Sequence, residues 1–251
     1  MVIMYIREKI IEKVRESEHV YTLKFKSEIK VKPGQFAMVW LPGVDEIPLS
    51  FSYVDEIKGF TFKVVGNGTR ELSKYDIDDY IIFRGPYGNW YYDDGEKALF
   101  IGGGTGIASI APFIEKSNAK KKFAILGAKS KNEIFFYKRI KDNVDDIIVF
   151  TEDGSFGEKG IVTDGLSRFD YDIIYACGPE KMIKSILNKK YVKMQASLER
   201  LMKCGIGICD SCSINGYRVC KDGPVFNNDI LIKMEDLGNI NRSASGKVVK
   251  M

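Results

Sequence analysis

The sequence predicts a multidomain protein of the β plus α/β class, built from an antiparallel β-barrel, a parallel-sheet domain and a small C-terminal metal module. Three observations support this prediction: short alternating strands in the first third, apolar strands alternating with helices in the middle, and four clustered cysteines near the end. We expect the three parts at residues 1–96, 97–192 and 193–251. A chain of 251 residues is long enough for two ordinary domains with an appended module.

The composition is that of an ordinary globular protein, with 45% hydrophobic residues and a formal net charge of +4 from 38 basic and 34 acidic residues. This weak, scattered basic excess does not favour a nucleic acid partner. The sequence contains neither a segment of the roughly 18 apolar residues that cross a bilayer nor the features of a secretory signal. We therefore expect a cytoplasmic protein without a membrane or nucleic acid partner. The single histidine, His19, excludes a multi-histidine metal site and is expected at the surface or a barrel edge.

Short strands separated by glycine and proline turns predict the barrel. The predicted strands are residues 20–25, 35–41, 49–54, 60–65 and 80–83. The turns between them contain Pro33-Gly34, Pro42-Gly43, Gly66-Asn67-Gly68 and Gly85-Pro86. Regular short strands with such turns are typical of small antiparallel barrels.

From about residue 97 the pattern changes to nearly continuous apolar strands that alternate with helices. The predicted strands are residues 98–101, 122–126, 147–151 and 172–176. One predicted helix ends near residue 116, another spans 130–140, and a third follows Gly178-Pro179 and ends near residue 189. The second helix is expected to begin with a capping box formed by Ser130 and Glu133. This alternation predicts a parallel sheet with helices on its faces, and the segment from residue 193 is predicted to be rich in loops.

Four cysteines form the most specific motif of the sequence. Cys204, Cys209, Cys212 and Cys220 have the spacing C-x4-C-x2-C-x7-C, and the first three match the spacing of plant-type [2Fe-2S] proteins. The glycines at 205 and 207 would let the backbone fold around a cluster and direct N–H groups at its sulfurs. The alternative is a four-cysteine zinc knuckle, although zinc sites usually contain two C-x2-C pairs.

A glycine-rich loop, Gly102-Gly103-Gly104-Thr105-Gly106, joins a predicted strand to a predicted helix. Backbone N–H groups and the helix dipole at such a junction favour a diphosphate. The loop does not match G-x-G-x-x-G, and Gly127-Ala128-Lys129 ends the next strand where a standard dinucleotide fold has an acidic residue. A tight turn without a ligand is the alternative.

Cys177 ends a predicted strand of the parallel sheet, in the sequence Cys177-Gly178-Pro179. Ligands bind outside the carboxyl ends of such strands, so Cys177 is a candidate to face a nicotinamide. A small apolar core residue is an equally good interpretation.

The order of a barrel, a glycine-loop sheet and a C-G-P strand end resembles the ferredoxin reductase-like flavoproteins. The C-terminal sequence narrows this resemblance: SLERLMKCGIGICDSC at 197–212, followed by RVCKDGPVF at 218–226. It is similar to the electron-transfer subunit of type B dihydroorotate dehydrogenase, and the similarity covers nearly the whole chain.

The resemblance implies FAD, a [2Fe-2S] cluster and NAD as cofactors. The flavin segment of the family reads R-P-x-S, in which Ile47 replaces the arginine here and Lys63 is a second basic position that can carry the charge. The implied cofactor-binding residues are Pro48, Leu49, Ser50, Thr61, Phe62, Lys63, Gly68, Thr69, Gly103, Gly104, Thr105, Gly106, Cys177, Gly178 and Pro179. The implied cluster ligands are Cys204, Cys209, Cys212 and Cys220, and no side chain is assigned a catalytic role.

The resemblance also implies a function. Electrons would pass from a partner subunit that contains FMN and binds dihydroorotate, through the cluster and FAD, to NAD+ in pyrimidine biosynthesis. The implied assembly is a heterotetramer of two catalytic and two electron-transfer subunits. A flavin is needed because a nicotinamide exchanges two electrons as a hydride, whereas a cluster passes one at a time.

Two alternatives stay open at this point. One is the flavin and [2Fe-2S] subunit of an NADH-dependent ferredoxin:NADP+ oxidoreductase or sulfide dehydrogenase, and the other is a nonredox interaction protein with a zinc knuckle. Lys129 alone does not decide between NAD and NADP.

Overall fold

The computed structural model describes residues 4–189, 193–243 and 247–250. Within these ranges, six strands close an antiparallel barrel in the order β1-β2-β5-β4-β3-β6. The strands are β1 (Ile6–Arg15), β2 (Val20–Lys26), β3 (Phe36–Leu41), β4 (Asp45–Val54), β5 (Ile57–Lys63) and β6 (Tyr80–Tyr87), and helix α1 (Asn67–Leu72) precedes β6.

The barrel core is aromatic. Phe25, Phe51, Phe60 and Phe83 are fully buried, and the ring centroids of Phe51 and Phe60 lie 4.7 Å apart. Clustered, tilted aromatic rings are a large source of buried apolar area in so small a barrel. The five predicted barrel strands are confirmed, and His19 lies just before β2 with its side chain 63% exposed, also as predicted.

Strand β1 is missing from the sequence prediction. It pairs with both β2 and β6 and closes the barrel. Only Ile10 of this strand is fully buried, because the strand carries charged side chains on its outer face. These charges mask the period-two pattern by which a strand is usually predicted.

A second sheet has seven strands in the described part of the chain, in the order β10-β9-β8-β7-β11-β12-β15. The first six are parallel to their neighbours, and β15 pairs antiparallel with β12. The strands are β7 (Lys97–Gly103), β8 (Lys121–Ala128), β9 (Asp146–Thr151), β10 (Glu158–Lys159), β11 (Ile173–Cys177), β12 (Lys193–Ser197) and, after a short hairpin, β15 (Val225–Asn227). Helices α2 (Gly106–Lys116) and α4 (Glu180–Lys189) connect parallel neighbours, as predicted.

The predicted helix over residues 130–140 is wrong. The structure has a 3-10 turn at Lys131–Glu133 and a separate short helix, α3 (Tyr137–Lys141). Phe136, between the two, has a left-handed backbone with φ of 57°, which ends any continuous helix there. The Ser130 side chain caps nothing, and Glu133 instead forms an ion pair with Lys63.

The C-terminal segment has more regular structure than predicted. Besides β12 and β15 it contains the hairpin β13 (Ser213–Ile214) and β14 (Tyr217–Arg218), the short helices α5 (Val219–Asp222) and α6 (Asn228–Leu231), and the pair β16 (Ile240–Arg242) and β17 (Val248–Lys250). Cys212 and Cys220 share one apolar core with Ile174 and Phe226 of the sheet. The division of the chain into three parts therefore stays a prediction, because β12 and β15 extend the sheet beyond residue 192.

The barrel is joined to the sheet through Arg139 of α3. Its guanidinium group donates to the carbonyl oxygen of Ser52 at 2.9 Å and lies 4.0 Å from the centroid of the Tyr53 ring. A bidentate pair with Glu115 holds the same group from the α2 side. A planar cation with several donors is suited to such a junction. In the described ranges, no helix is long and apolar enough to span a membrane.

Candidate cofactor and cluster site

A cavity of about 550 Å³ lies at the carboxyl ends of four parallel strands, β7, β8, β9 and β11. Ligands of open α/β sheets bind at this edge. From the predicted set its lining contains Lys63, Gly103, Gly104, Thr105, Gly178 and Pro179. Residues that the sequence did not assign to the site also line it, among them Glu152, Lys181 and Glu199.

The glycine loop shapes one wall of this cavity. A side chain at Gly104 would meet nothing within 4 Å, so its backbone is open to the cavity, and its φ of 54° suits a glycine. Gly106 has a different role, because a Cβ there would lie 2.2 Å from the carbonyl oxygen of Cys177. Gly106 thus permits helix α2 to begin directly against the end of β11, and it does not line the cavity.

A second cavity, of about 310 Å³, lies between the barrel and the sheet. Strand β4 borders this cavity along the part of the strand that pairs with only one neighbouring strand. Residues 45–50 pair with β3, and pairing with β5 begins only at Phe51. This gap explains why Pro48 fits within a strand, since its missing N–H is not needed on the unpaired side. From the predicted set the lining contains Pro48, Leu49, Ser50, Thr61, Phe62, Lys63, Thr69, Thr105 and Cys177.

The two cavities share Lys63, Thr105 and Glu199 in their linings, and they form one crevice. Lys63 is a cation at this junction, and its amine lies 2.7 Å from a carboxylate oxygen of Glu133. Ile47 lines the second cavity and brings no charge. Of the predicted cofactor-binding residues, Gly68 and Gly106 line neither cavity. Gly68 is buried, and a Cβ there would lie 3.0 Å from the Ile47 side chain.

Cys177 lies in the wall of the second cavity and is also buried, so both interpretations of its position hold in part. Burial and the nearby Glu199 carboxylate raise the pKa of the thiol to about 12, while the hydroxyls of Ser109 and Ser197 oppose this rise. The thiol is neutral across the physiological range. It therefore offers a compact, polarizable surface to a ligand and no charge.

The four predicted cluster ligands lie on one loop and an adjoining helix. The sulfur atoms of Cys204, Cys212 and Cys220 accept backbone hydrogen bonds: Gly207 N–H donates to Cys220 Sγ at 3.1 Å, and Cys209 N–H donates to Cys204 Sγ at 3.4 Å. Gly205 and Gly207 have φ of 69° and 80°, as expected for a loop that turns its N–H groups inward. N–H groups directed at sulfur stabilise thiolates and tune the potential of an iron–sulfur cluster.

The cysteine pKa values follow from this arrangement. Burial opposes ionisation of Cys204, but the N–H groups of Cys209, Ile206 and Ile208 outweigh it and lower the pKa to about 6. Cys212 and Cys220 hydrogen-bond each other, which lowers the pKa of Cys212 to about 7 and raises that of Cys220. A thiolate is the metal-binding form.

The cysteines are grouped in two pairs, Cys204 with Cys209 and Cys212 with Cys220. All five cysteines of the chain lie in the described ranges and none forms a disulfide. Within those ranges, no three cysteine, histidine or acidic side chains converge as ligands of a single metal ion. Two pairs of thiols are the donor set that a binuclear cluster requires, with two thiolates for each iron.

Arg84 of β6 fixes the cluster loop to the barrel. It is 5% exposed and donates to the carbonyl oxygen of Cys204 at 2.7 Å, and two of its nitrogens contact the Glu46 carboxylate at 2.6 Å each. Gly205 lies against Met38 of β3, which leaves no room for a side chain. These contacts hold the loop beside the second cavity, whose lining includes Met202.

The barrel, the sheet with its cavity at the strand ends and the four-cysteine loop define a ferredoxin reductase-like protein with an iron–sulfur module. Residues 199–232 match the family model described as the iron-sulfur cluster binding domain of dihydroorotate dehydrogenase B. The chain is 41% identical over 249 residues to a probable dihydroorotate dehydrogenase B (NAD(+)), electron transfer subunit, from Thermoplasma volcanium, with 97% of each chain covered. It is 40% identical over 248 residues to the protein of the same name from Pyrococcus furiosus, with 98% of this chain and 99% of that protein covered. The chain belongs to the family of dihydroorotate dehydrogenase B electron transfer subunits.

Solved structures agree with this fold. A chain of the NADH-dependent reduced ferredoxin-NADP oxidoreductase superposes with a TM-score of 0.79 at 30% identity, covering 91% of this chain and 92% of that one. A flavohemoglobin from Malassezia yamatoensis, solved with FAD and heme, gives a TM-score of 0.64 at 14% identity and covers 73% of this chain and 55% of that one. The second similarity shows the fold alone.

Proposed function

We propose that this chain is the electron-transfer subunit of an NAD-dependent dihydroorotate dehydrogenase. It takes electrons from an FMN-containing catalytic partner and delivers them, through a [2Fe-2S] cluster and FAD, to NAD+. The observation that carries this proposal is the adjacency of the sites: Met202 lines the cavity between barrel and sheet, and the first cluster cysteine, Cys204, follows two residues later. One-electron transfer requires such closeness between carriers.

We assign FAD to the cavity between barrel and sheet and NAD+ to the cavity at the strand ends. The unpaired edge of β4, the Ser50 hydroxyl and the apolar Phe62 and Leu49 suit a ligand with a flat ring and a polar tail. Bound FAD supplies the conversion between one-electron and two-electron transfer. Lys63 is the cation that we assign to the flavin diphosphate, in place of the arginine absent at Ile47.

The partner in this proposal is the FMN subunit, which binds dihydroorotate, and the assembly contains two copies of each chain. The names of the relatives, electron transfer subunits of an NAD(+)-dependent enzyme, support both the partner and the acceptor. Clustered cysteines outside any disulfide support a cytoplasmic location for this assembly.

An anaerobic visible spectrum of the purified chain, recorded before and after NADH is added, tests the proposal. We expect the bands of oxidised flavin and of a [2Fe-2S] centre, and we expect NADH to bleach both. A colourless protein that contains zinc would refute the redox function. Iron without flavin would refute the assignment of Lys63 in place of the missing arginine.

A second candidate rests on the similarity to the NADH-dependent reduced ferredoxin-NADP oxidoreductase. The two candidates differ in their partner. Coexpression with the FMN subunit should produce a complex that reduces NAD+ with dihydroorotate. A chain that ignores the FMN subunit and instead supports NADP+ reduction by reduced ferredoxin in a larger flavoprotein complex would favour the second candidate.

A further inference from the structure

Glu199 lies where the two cavities meet and lines both of them. If FAD and NAD+ occupy these cavities as proposed above, the nicotinamide ring must approach the flavin at this junction. Among the residues that the structure describes, the Glu199 carboxylate has no hydrogen-bond or ion-pair partner. The side chain is open to the crevice, yet the surrounding protein desolvates the carboxylate and raises its pKa.

The backbone at Glu199 is held on both sides. Leu198 N–H donates to the carbonyl oxygen of Pro224 at 2.9 Å. On the other side, Arg200 is buried and forms a bidentate pair with Glu180 at 2.7 and 2.9 Å. The guanidinium group next to Glu199 is therefore committed to Glu180, and Glu199, which lines both cavities, has no ion pair with it.

The charge of the nicotinamide ring changes in the reaction. The oxidised ring is a cation; when a hydride, carrying two electrons and one proton, passes from reduced flavin to its C4 atom, the ring becomes neutral. A carboxylate beside the ring attracts the oxidised form and has little effect on the reduced form. It therefore favours binding of the acceptor and release of the product.

We propose that Glu199 positions the oxidised nicotinamide and makes the crevice discriminate in favour of NAD+ over NADH. This inference rests on the proposed function. Glu199 is a positioning residue, since the hydride passes between flavin and nicotinamide without it. Removal of its charge should raise the KM for NAD+ while kcat for NAD+ reduction is largely retained.

The test compares two ligands on the purified complex: NAD+, and 1,4,5,6-tetrahydro-NAD, whose neutral ring cannot donate a hydride. In Glu199→Gln we expect affinity for NAD+ to fall roughly tenfold and affinity for the neutral analogue to change less than about twofold, because only the cation meets the carboxylate. Glu199→Asp should restore part of the preference. Glu28→Gln, which removes one exposed carboxylate from the connection between β2 and β3, is the charge-matched control and should leave both affinities unchanged.

Acidification gives an independent arm of the same test. Protonation of Glu199 should remove the preference for NAD+ as the pH falls through the pKa of this carboxyl, which desolvation raises. Of the other ionisable groups at the crevice, Cys177 is neutral and the bond from Lys63 lowers the pKa of Glu133. Glu152 is a further carboxylate, and Lys129, Lys181 and Arg200 are basic side chains. The pH dependence should be absent in Glu199→Gln.

The outcomes separate the two proposals. Suppose that the unaltered complex binds both ligands. If Glu199→Gln then lowers both affinities equally, or leaves both unchanged, the inference about Glu199 is wrong and the proposed function stands. If the unaltered complex binds neither ligand, the proposed function fails, and the inference fails with it.

Discussion

The contact between Arg84 and the cluster loop gives a prediction with a magnitude. Arg84→Met keeps the length of the side chain but removes the two bonds to Glu46 and the bond to the Cys204 carbonyl oxygen. The side chains are 6% and 20% exposed, so the Glu46 carboxylate is left largely desolvated. Breaking a buried pair from one side costs about 3–5 kcal/mol. Tyr5 still donates to Glu46, so we expect the lower end of that range, about 3 kcal/mol.

Urea unfolding of the complete chain measures this cost, and visible absorption measures cluster occupancy in the same samples. We expect Arg84→Met to lose cluster absorption at lower urea than the parent, because the loop loses its attachment to the barrel. The double variant Arg84→Met/Glu46→Met removes the stranded carboxylate and should regain part of the stability. Arg168→Met, which breaks an exposed pair with Glu158, is the matched control and should change the free energy of unfolding by less than about 1 kcal/mol. A cost below about 1 kcal/mol for Arg84→Met would refute the reasoning.

Three further predictions concern the cluster, the glycine loop and the nucleotide. Cys204→Ser should impair NAD+ reduction by the complex while dihydroorotate oxidation by an artificial acceptor is spared; unchanged NAD+ reduction after loss of the cluster spectrum would contradict the proposed route. Gly106→Ala places a methyl group 2.2 Å from the Cys177 carbonyl oxygen, and urea unfolding should show that it lowers the free energy of unfolding by about 1–3 kcal/mol. Gly66→Ala is the control and should have little effect, because a methyl group there meets nothing within 4 Å. Glu152→Gln should raise the affinity for NADPH relative to NADH by roughly fivefold, since Glu152 follows β9 in the nucleotide cavity and would repel a 2′-phosphate; an unchanged ratio of dissociation constants would exclude this role.

Local patterns in the sequence predicted most of the fold. Five strands of the barrel and four of the second sheet have short-range periodicities, and the turns between them contain glycine and proline, so each could be predicted from its own segment. The short strands β10, β12 and β15 were not predicted. Strand β1 could not, because its charged residues face solvent and it is defined by its pairing with β2 and β6. The helix predicted at Ser130 failed because the left-handed backbone of Phe136 interrupts it, and the Glu133 side chain expected in its capping box pairs instead with Lys63, 70 residues away in the sequence.

The same distinction between local and distant information applies to the site. The cysteine spacing and the glycine loop are contiguous motifs, whereas Arg84 contacts Cys204 across 120 residues. Arg84 lies in an ordinary strand sequence, so no local signal indicates that it supports the cluster loop. Glu199 lies within the family-like segment at 197–212, and nothing in the neighbouring sequence indicates that it stands at the meeting point of two cavities.

The departures from the flavin motif can be explained by the packing around it. Ile47 packs against Gly68, where a Cβ would lie 3.0 Å from the Ile47 side chain, so this turn rests on an apolar residue that also lines the second cavity. Two cations on other strands matter here: Lys63 from β5 lines both cavities, whereas Arg84 from β6 lines neither and is bound to Glu46, the residue before Ile47. Ile47 therefore brings no positive charge to β4, and the preceding residue, Glu46, binds Arg84, which contacts the cluster loop. In the proposed function these two cations have separate roles: Lys63, which also pairs with Glu133, binds the flavin diphosphate, and Arg84 supports the cluster loop. If the roles are separate, Lys63→Met should weaken FAD retention without changing the cluster spectrum. Arg84→Met should change the cluster spectrum without weakening FAD retention.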